Sequence, residues 1–129
     1  MMANVKQCTP EIRAGRLSKA IQFLRAADLI APILDDEELA DAYVTLCVHA
    51  GIAASDVICC AKLHEHSVSP NHKNAVVMMA TFDQTNSVYL DTLLEMKTHS
   101  GYTETPSTPE LCESAGIAAA ALVQSAKLI

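Results

Sequence analysis

The groups in this sequence with chemistry to offer near neutral pH are five histidines, a few well-spaced carboxylates and a handful of cations. Thr45, His49, Ile52 and Asp56 recur at i, i+4, i+7 and i+11, which places them on one stripe of a helix. A histidine and an aspartate one heptad apart on an otherwise apolar helix suit a cleft or a subunit interface. There Asp56 can hold an imidazole in one tautomer, or the pair can hold a polar ligand. Satisfaction of both groups by helix caps or neighbouring segments explains the same stripe without a ligand. His72 falls in the first turn of a later helix, where its ring can bond an exposed N–H or reach a neighbouring helix end. Lys97, His99 and Tyr102 gather where another helix ends, and cations there complement the negative end of the helix dipole. They join a site only if they face the cleft of His49 and Asp56.

His64, Glu65, His66 and His72, with Cys60 one turn earlier, offer ligands of the kind zinc takes. Their spacing fits no closed zinc pattern, and a solvated His-rich loop is the simpler reading. The chain has no Gly-rich phosphate loop, G-x-S-x-G elbow, H-E-x-x-H, paired C-x-x-C or Glu-x-x-His di-iron pattern. No catalytic residue, metal site or cofactor is expected.

The elements that position these groups follow from composition and periodicity. The 129 residues are 50% hydrophobic and 19% charged, which excludes a disordered tail and fits one domain. Aromatic residues make up only 4%, and the apolar mass sits in Ala, Leu and Ile, so helices are favoured over a β-sandwich or barrel. The net charge of −6 argues against nucleic-acid binding by bulk electrostatics, though not against a local basic patch.

Five helices are expected. Thr9-Pro10-Glu11 opens the first, whose inward stripe is Leu17, Ala20, Ile21, Leu24 and Ala27; Arg13, Arg16, Lys19 and Arg25 fall mostly outside it, and Pro32 ends it. The second begins near Asp35, with Asp35 and Glu38 as a capping box. Its heptad seam is Leu39, Tyr43, Leu46, Ala50, Ala53, Val57 and Cys60, and Lys62-Leu63 closes it. A polar loop from His64 to Ser69 precedes a third helix over about 71–82. Asp83-Gln84-Thr85-Asn86 reads as a break with a fresh cap before a fourth helix, a single bent helix being the alternative. A loop over 100–107 then leads to Thr108-Pro109-Glu110 and the last helix.

Residues 46–63 laid on 111–128 match at ten of eighteen positions. The shared Ala-Gly-Ile-Ala-Ala cores predict close packing of the second and fifth helices. The five cysteines show no disulfide spacing, the N-terminus has no signal-peptide pattern and no segment reads as membrane-spanning. A reduced, cytoplasmic protein is expected, with residues 1–8 flexible.

The segment Asp41-Ala42-Tyr43-Val44-Thr45-Leu46-Cys47-Val48-His49-Ala50-Gly51-Ile52-Ala53-Ala54-Ser55-Asp56 resembles the second helix of bacterial HEPN-type proteins. Asn71-His72-Lys73-Asn74-Ala75-Val76 and Leu93 through Tyr102 are similar to later parts of the same superfamily, over roughly residues 12–127. The resemblance implies an all-α, up-and-down four-helix bundle with an additional short helix, a single HEPN-like domain over 1–129, paired as a homodimer. The catalytic branch is similar to metal-independent RNA-cutting toxins of toxin–antitoxin systems, with an Arg followed four to six residues later by a His. Arg13, Arg16 and Arg25 have no such His, and Lys97 and His99 stand too close together to replace them. The resemblance therefore implies the non-catalytic branch: a binding or adaptor module for a nucleotide or RNA, or for a nucleotidyltransferase or another protein partner, with no membrane association. The positions it assigns to ligand binding are His49, Asp56, His72, Lys97 and Tyr102, meeting in one polar cleft. The alternatives are a divergent ribonuclease using His49, His72 or His99, and a metal-binding bundle built on the His loop.

Overall fold

The computed structural model describes residues 4–35 and 37–129. The chain runs β1 (Val5–Gln7), α1 (Pro10–Ile30), two short 3-10 turns (Ala31–Ile33 and Glu37–Leu39), α2 (Ala40–Leu63), β2 (Glu65–Ser67), α3 (Lys73–Ala80), α4 (Gln84–Tyr102) and α5 (Pro109–Lys127). The fold is all-α, with one two-stranded ribbon at its edge.

Three of the expected helix starts are built as the sequence predicts. The Thr9 hydroxyl accepts from Ile12 N at 3.1 Å, and Thr108 accepts from Leu111 N at 3.2 Å. Asp83 Oδ1 accepts from Asn86 N at 3.0 Å, so α3 and α4 are separate helices rather than one bent helix. The start of α2 differs. A 3-10 turn occupies 37–39, the α-helix begins only at Ala40, and its N-cap residue, Leu39, makes no side-chain cap bond. Asp41 instead accepts from both Ser107 N and Ser107 Oγ, at 2.8 and 2.7 Å, tying the approach to α5 onto the first turn of α2. At its C-terminal end α4 continues to Tyr102, three residues into the expected loop.

Cross-helix contacts give the directions. Arg16 meets Asp56 and Phe23 meets His49, so α1 and α2 are antiparallel. Thr45 bonds Ser100 and Gly51 faces Leu93, so α2 and α4 are antiparallel too. Tyr43 lies over Gly116 and Gly51 faces Leu122, so α2 and α5 run parallel. That is an up-and-down bundle in which α2 and α5 stand on one diagonal. The diagonal is short because its residues are small. Ala50, Ala53 and Ala54 on α2 and Ala115, Ala118 and Ala119 on α5 are all fully buried. The two glycines of the repeated core explain the rest. A methyl at Gly116 would collide with the Tyr43 hydroxyl, and one at Gly51 would collide with Leu93. The small short helix α3 lies on α4, held by Lys73, which bonds both Asp91 and Glu95.

Two expectations fail at the edge of the bundle. The segment before Thr9 is not a loose tail over 4–8: Val5, Lys6 and Gln7 pair antiparallel with Ser67, His66 and Glu65, and residues 1–3 lie outside the described residues. His64 takes the left-handed conformation at φ 60°, ending α2 with its N–H on Cys60 O, and this turn sends the chain into β2. A ribbon this short is marginal alone. It is fastened by Cys8 N–H on His64 O at 2.9 Å and by a Cys8–Cys60 disulfide, with Cα atoms 5.5 Å apart. The thiols are therefore not all free. Cys47, Cys59 and Cys112 are, and burial pushes Cys47 up to about 11 and Cys59 up to about 12. They serve as small apolar filling rather than nucleophiles.

Contrary to the sequence reading, α2 is long and apolar enough to cross a membrane by length and composition; 67% of that stretch is buried in the bundle. Its position at the centre of the core accounts for its apolarity.

Candidate functional site

The least buried line on α2 is the stripe Thr45, His49, Ile52 and Asp56, and it borders α4. Two depressions lie along it. The first, about 330 Å³, is lined by Thr45, Val48, His49, Lys97, Ser100, Gly101 and Tyr102. The second, about 280 Å³, is lined by residues that include Ile52, Asp56 and Ser55 of α2, Arg16 of α1, His66 to Ser69, His72, and Leu90 and Leu94 of α4. The five expected residues therefore do not meet in one cleft. His49, Lys97 and Tyr102 share the first depression, and Asp56 and His72 share the second. The spacing of His49 and Asp56 explains the division, because seven residues of helix span about 10 Å.

In the first depression the Thr45 hydroxyl donates to Ser100 Oγ at 3.1 Å, which stitches α2 to the last turn of α4. The His49 ring packs against Phe23 at 5.4 Å between centroids and is otherwise exposed. Lys97 is half-buried, and neither its ammonium nor the His49 imidazole has a hydrogen-bond or ion-pair partner among the described residues. Tyr102 is 79% exposed, so its ring stands free at the rim. His99 does not join them: its Nε2 bonds the carbonyl of Pro106 at 3.2 Å, fastening the loop that follows.

The second depression is built round Asp56. Its Oδ2 accepts from Arg16 Nε at 2.8 Å, and its Oδ1 lies 3.6 Å from His66 Nδ1, beyond hydrogen-bond range. Burial pushes the Asp56 carboxyl above the ordinary carboxylate range, against the opposing pull of Arg16, His66 and His72. His66 is 8% exposed, and neither ring nitrogen has a hydrogen-bond partner among the described residues. An unsatisfied buried polar group costs about 1–3 kcal/mol, so this wall carries unused hydrogen-bonding capacity. Burial and then the nearby Lys97 charge hold His72 below the ordinary histidine range; Asp56 pulls the other way and His49 adds a smaller push. His72 thus lies within electrostatic reach of Lys97 and His49 in the first depression as well as Asp56 in its own.

Arg16 and His66 are not among the five residues expected to hold a ligand, and His66 enters the sequence reading only through the His-loop metal set. Arg16 stands at i−4 from the fully buried Ala20, so it belongs to the inner edge of the α1 stripe rather than outside it. His66 is the middle residue of a three-residue strand, too short for alternation to register. The His-loop metal set does not form. Cys60 is bonded to Cys8, His64 lines a different pocket with Arg13, and no group of three possible ligands is gathered among the described residues. A larger depression of about 480 Å³ lies at the other end of α2, with Asp35, Tyr43, Ser107 and Cys112 among its walls; it contains none of the expected groups. No family model matches the chain, and no curated protein matches it in sequence.

Proposed function

We propose that the chain is a HEPN-like, non-catalytic binding or adaptor module that holds a nucleotide or a short piece of RNA along the α2–α4 groove. The observation that carries the reading is the first depression. The Lys97 ammonium and the His49 imidazole, with no hydrogen-bond or ion-pair partner among the described residues, line the same depression as the exposed Tyr102 ring. A cation, an imidazole and a free aromatic face are what a phosphate and a stacked base require. The helix order adds support, as do the small-residue α2 core and the absence of an Arg-x4-6-His pattern. With a net charge of −6, the contact is local, one phosphate or two, and not a track for long nucleic acid.

Calorimetric titration with nucleoside monophosphates and a short single-stranded RNA tests this. Saturable binding that falls at least about tenfold in both His49→Ala and Lys97→Ala, with helix content unchanged, is the expected result. No saturable binding by any of them refutes it. The homodimer, the nucleotidyltransferase or other protein partner, and the cytoplasmic, bacterial setting belong to the same proposal through the resemblance. The Cys8–Cys60 bond weighs against a reducing compartment. Light scattering settles the dimer.

One observation favours a second reading, metal-independent RNA cleavage: Arg16 and His72 line one cavity although they are far apart in sequence. A neutral His72 could take a proton while Arg16 stabilises charge on phosphorus. Intact RNA after incubation with chelator-treated protein excludes it.

A further inference from the structure

We propose that the cavity beneath β2 is a separate oxyanion site, taking a carboxylate or phosphate monoester carried on a small apolar body, with Arg16 as its anchor. The proposal rests on the groove being a ligand site, but not on the nucleotide reading of the neighbouring depression.

Arg16 is held by one nitrogen. Its Nε donates to Asp56 Oδ2 at 2.8 Å, and its two terminal nitrogens have no hydrogen-bond partner among the described residues. A guanidinium fixed this way keeps its fork free, the geometry that grips a carboxylate or phosphate with two parallel bonds. Asp56, 13% exposed at its side chain, acts as the strut that sets the fork.

The rest of the wall is rich in donors. Ser69 Oγ already accepts from Asn71 N at 3.1 Å and from Asn74 Nδ2 at 2.9 Å. Ser67 Oγ accepts from Ser69 N at 3.3 Å. Each hydroxyl therefore keeps its own proton to give. His72 adds an N–H from the rim. The buried His66 ring, with no hydrogen-bond partner at either nitrogen among the described residues, completes the polar side. The only carboxylate on the lining is the one Arg16 already engages. The free Arg16 fork and these hydroxyls favour a ligand rich in acceptors, an oxyanion above all.

Opposite these groups the wall is apolar, formed by Ile52, Ala75, Leu90 and Leu94. It calls for an aliphatic or aromatic body. The volume of about 280 Å³ sits at the small end of ordinary ligand pockets, roughly 300 Å³ and upward.

The test uses the full chain at pH 7 with benzoate, phenyl phosphate and benzyl alcohol as probes, followed by amide NMR shifts. The variants are Arg16→Gln, Arg16→Lys and Lys97→Met, each checked for helix content and melting. At least one of the two oxyanions should shift amides near Arg16, Asp56 and 66–69 saturably, and benzyl alcohol should not. Arg16→Gln should weaken that binding at least about tenfold, as expected for a lost charge-assisted pair. Arg16→Lys, which keeps the charge without the fork, should restore only part of it. Lys97→Met should weaken it clearly less than Arg16→Gln does, because Lys97 lines the other depression and reaches this one only through its charge. The better of the two oxyanions identifies the head group. No saturable binding, equal binding of benzyl alcohol, or indifference to Arg16→Gln overturns the proposal. Nucleotide binding that survives in Arg16→Gln while both oxyanions fail sinks this inference alone. Oxyanion binding at Arg16 with no nucleotide bound by the unaltered chain sinks the nucleotide reading alone.

Discussion

Breaking the Cys8–Cys60 bond should cost the fold a large part of its stability while leaving its helices in place. The bond joins residues 52 apart in sequence, and the chain-entropy relation for a loop of that length gives about 4 kcal/mol. Against a typical total of about 5–15 kcal/mol, that is a major share. For a domain of this size it corresponds to a fall in Tm of roughly 15 °C. The figure is an upper one, because β1 keeps its pairing with β2 and Cys8 N–H keeps its bond to His64 O after reduction. Thermal unfolding followed by circular dichroism, with and without a phosphine reductant, measures it. Cys8→Ser is the matching variant, since Cys8 lies outside the helices whereas Cys60 is buried in α2. Mass spectrometry with a thiol label under denaturing conditions should count three free thiols before reduction, Cys47, Cys59 and Cys112, and five after. Hydrogen exchange should quicken first at Val5–Gln7 and Glu65–Ser67 and not at the buried alanines of α2 and α5. Two results would refute the reasoning: five free thiols in the oxidised, folded protein, or a confirmed bond whose reduction moves Tm by less than about 3 °C.

Two glycines should respond to alanine with opposite signs. At Gly15, where the added methyl meets nothing, helix propensity should stabilise the protein by about 1 kcal/mol; at Gly51 it runs into the fully buried Leu93 and lies 3.3 Å from Leu122, so overpacking of about 1–3 kcal/mol should outweigh that gain, as urea denaturation will show. His72, held below the ordinary histidine range by burial and Lys97, should titrate upward in Lys97→Met and further downward in Asp56→Asn when its ring proton is followed by NMR. Because the folded protein binds that proton more weakly than the unfolded chain, His72 contributes stability that is lost as pH falls below 6.5, and Lys97→Met should lessen the loss.

The bundle was legible because helix signals are local. A Thr cap followed by Pro and Glu, an Asp after a break, and an apolar repeat at helical spacing need no knowledge of the rest of the chain. The α2–α5 contact was legible for the same reason, since small residues at matching pitch on two helices state where backbones come close. The ribbon was not. Val5–Gln7 and Glu65–Ser67 are each three residues long, and nothing in either segment names the other as its partner. The disulfide follows from that pairing, which carries Cys8 to the end of α2, and it stayed hidden with it. Arg16 was misjudged on grounds of charge. A cation beside a buried alanine looks like the edge of a solvated face until the opposing helix is known to carry Asp56.

These misses are connected, and together they locate the candidate chemistry. His66 is buried because β2 folds back over α2, β2 is held there by β1, and β1 is held by Cys8–Cys60. Arg16 meets Asp56 because α1 packs antiparallel on α2, and β2 closes over the cavity that both residues line. The Lys97 depression has no such dependence, since Thr45–Ser100 and the helix axes alone define it. The two halves of the groove are thus supported by different parts of the fold. Cutting the disulfide should loosen amides around His66 and reduce oxyanion binding at Arg16, while nucleotide binding at Lys97 stays within about twofold. Equal loss at both sites would mean that the ribbon braces the whole groove, and that the two depressions act as one site.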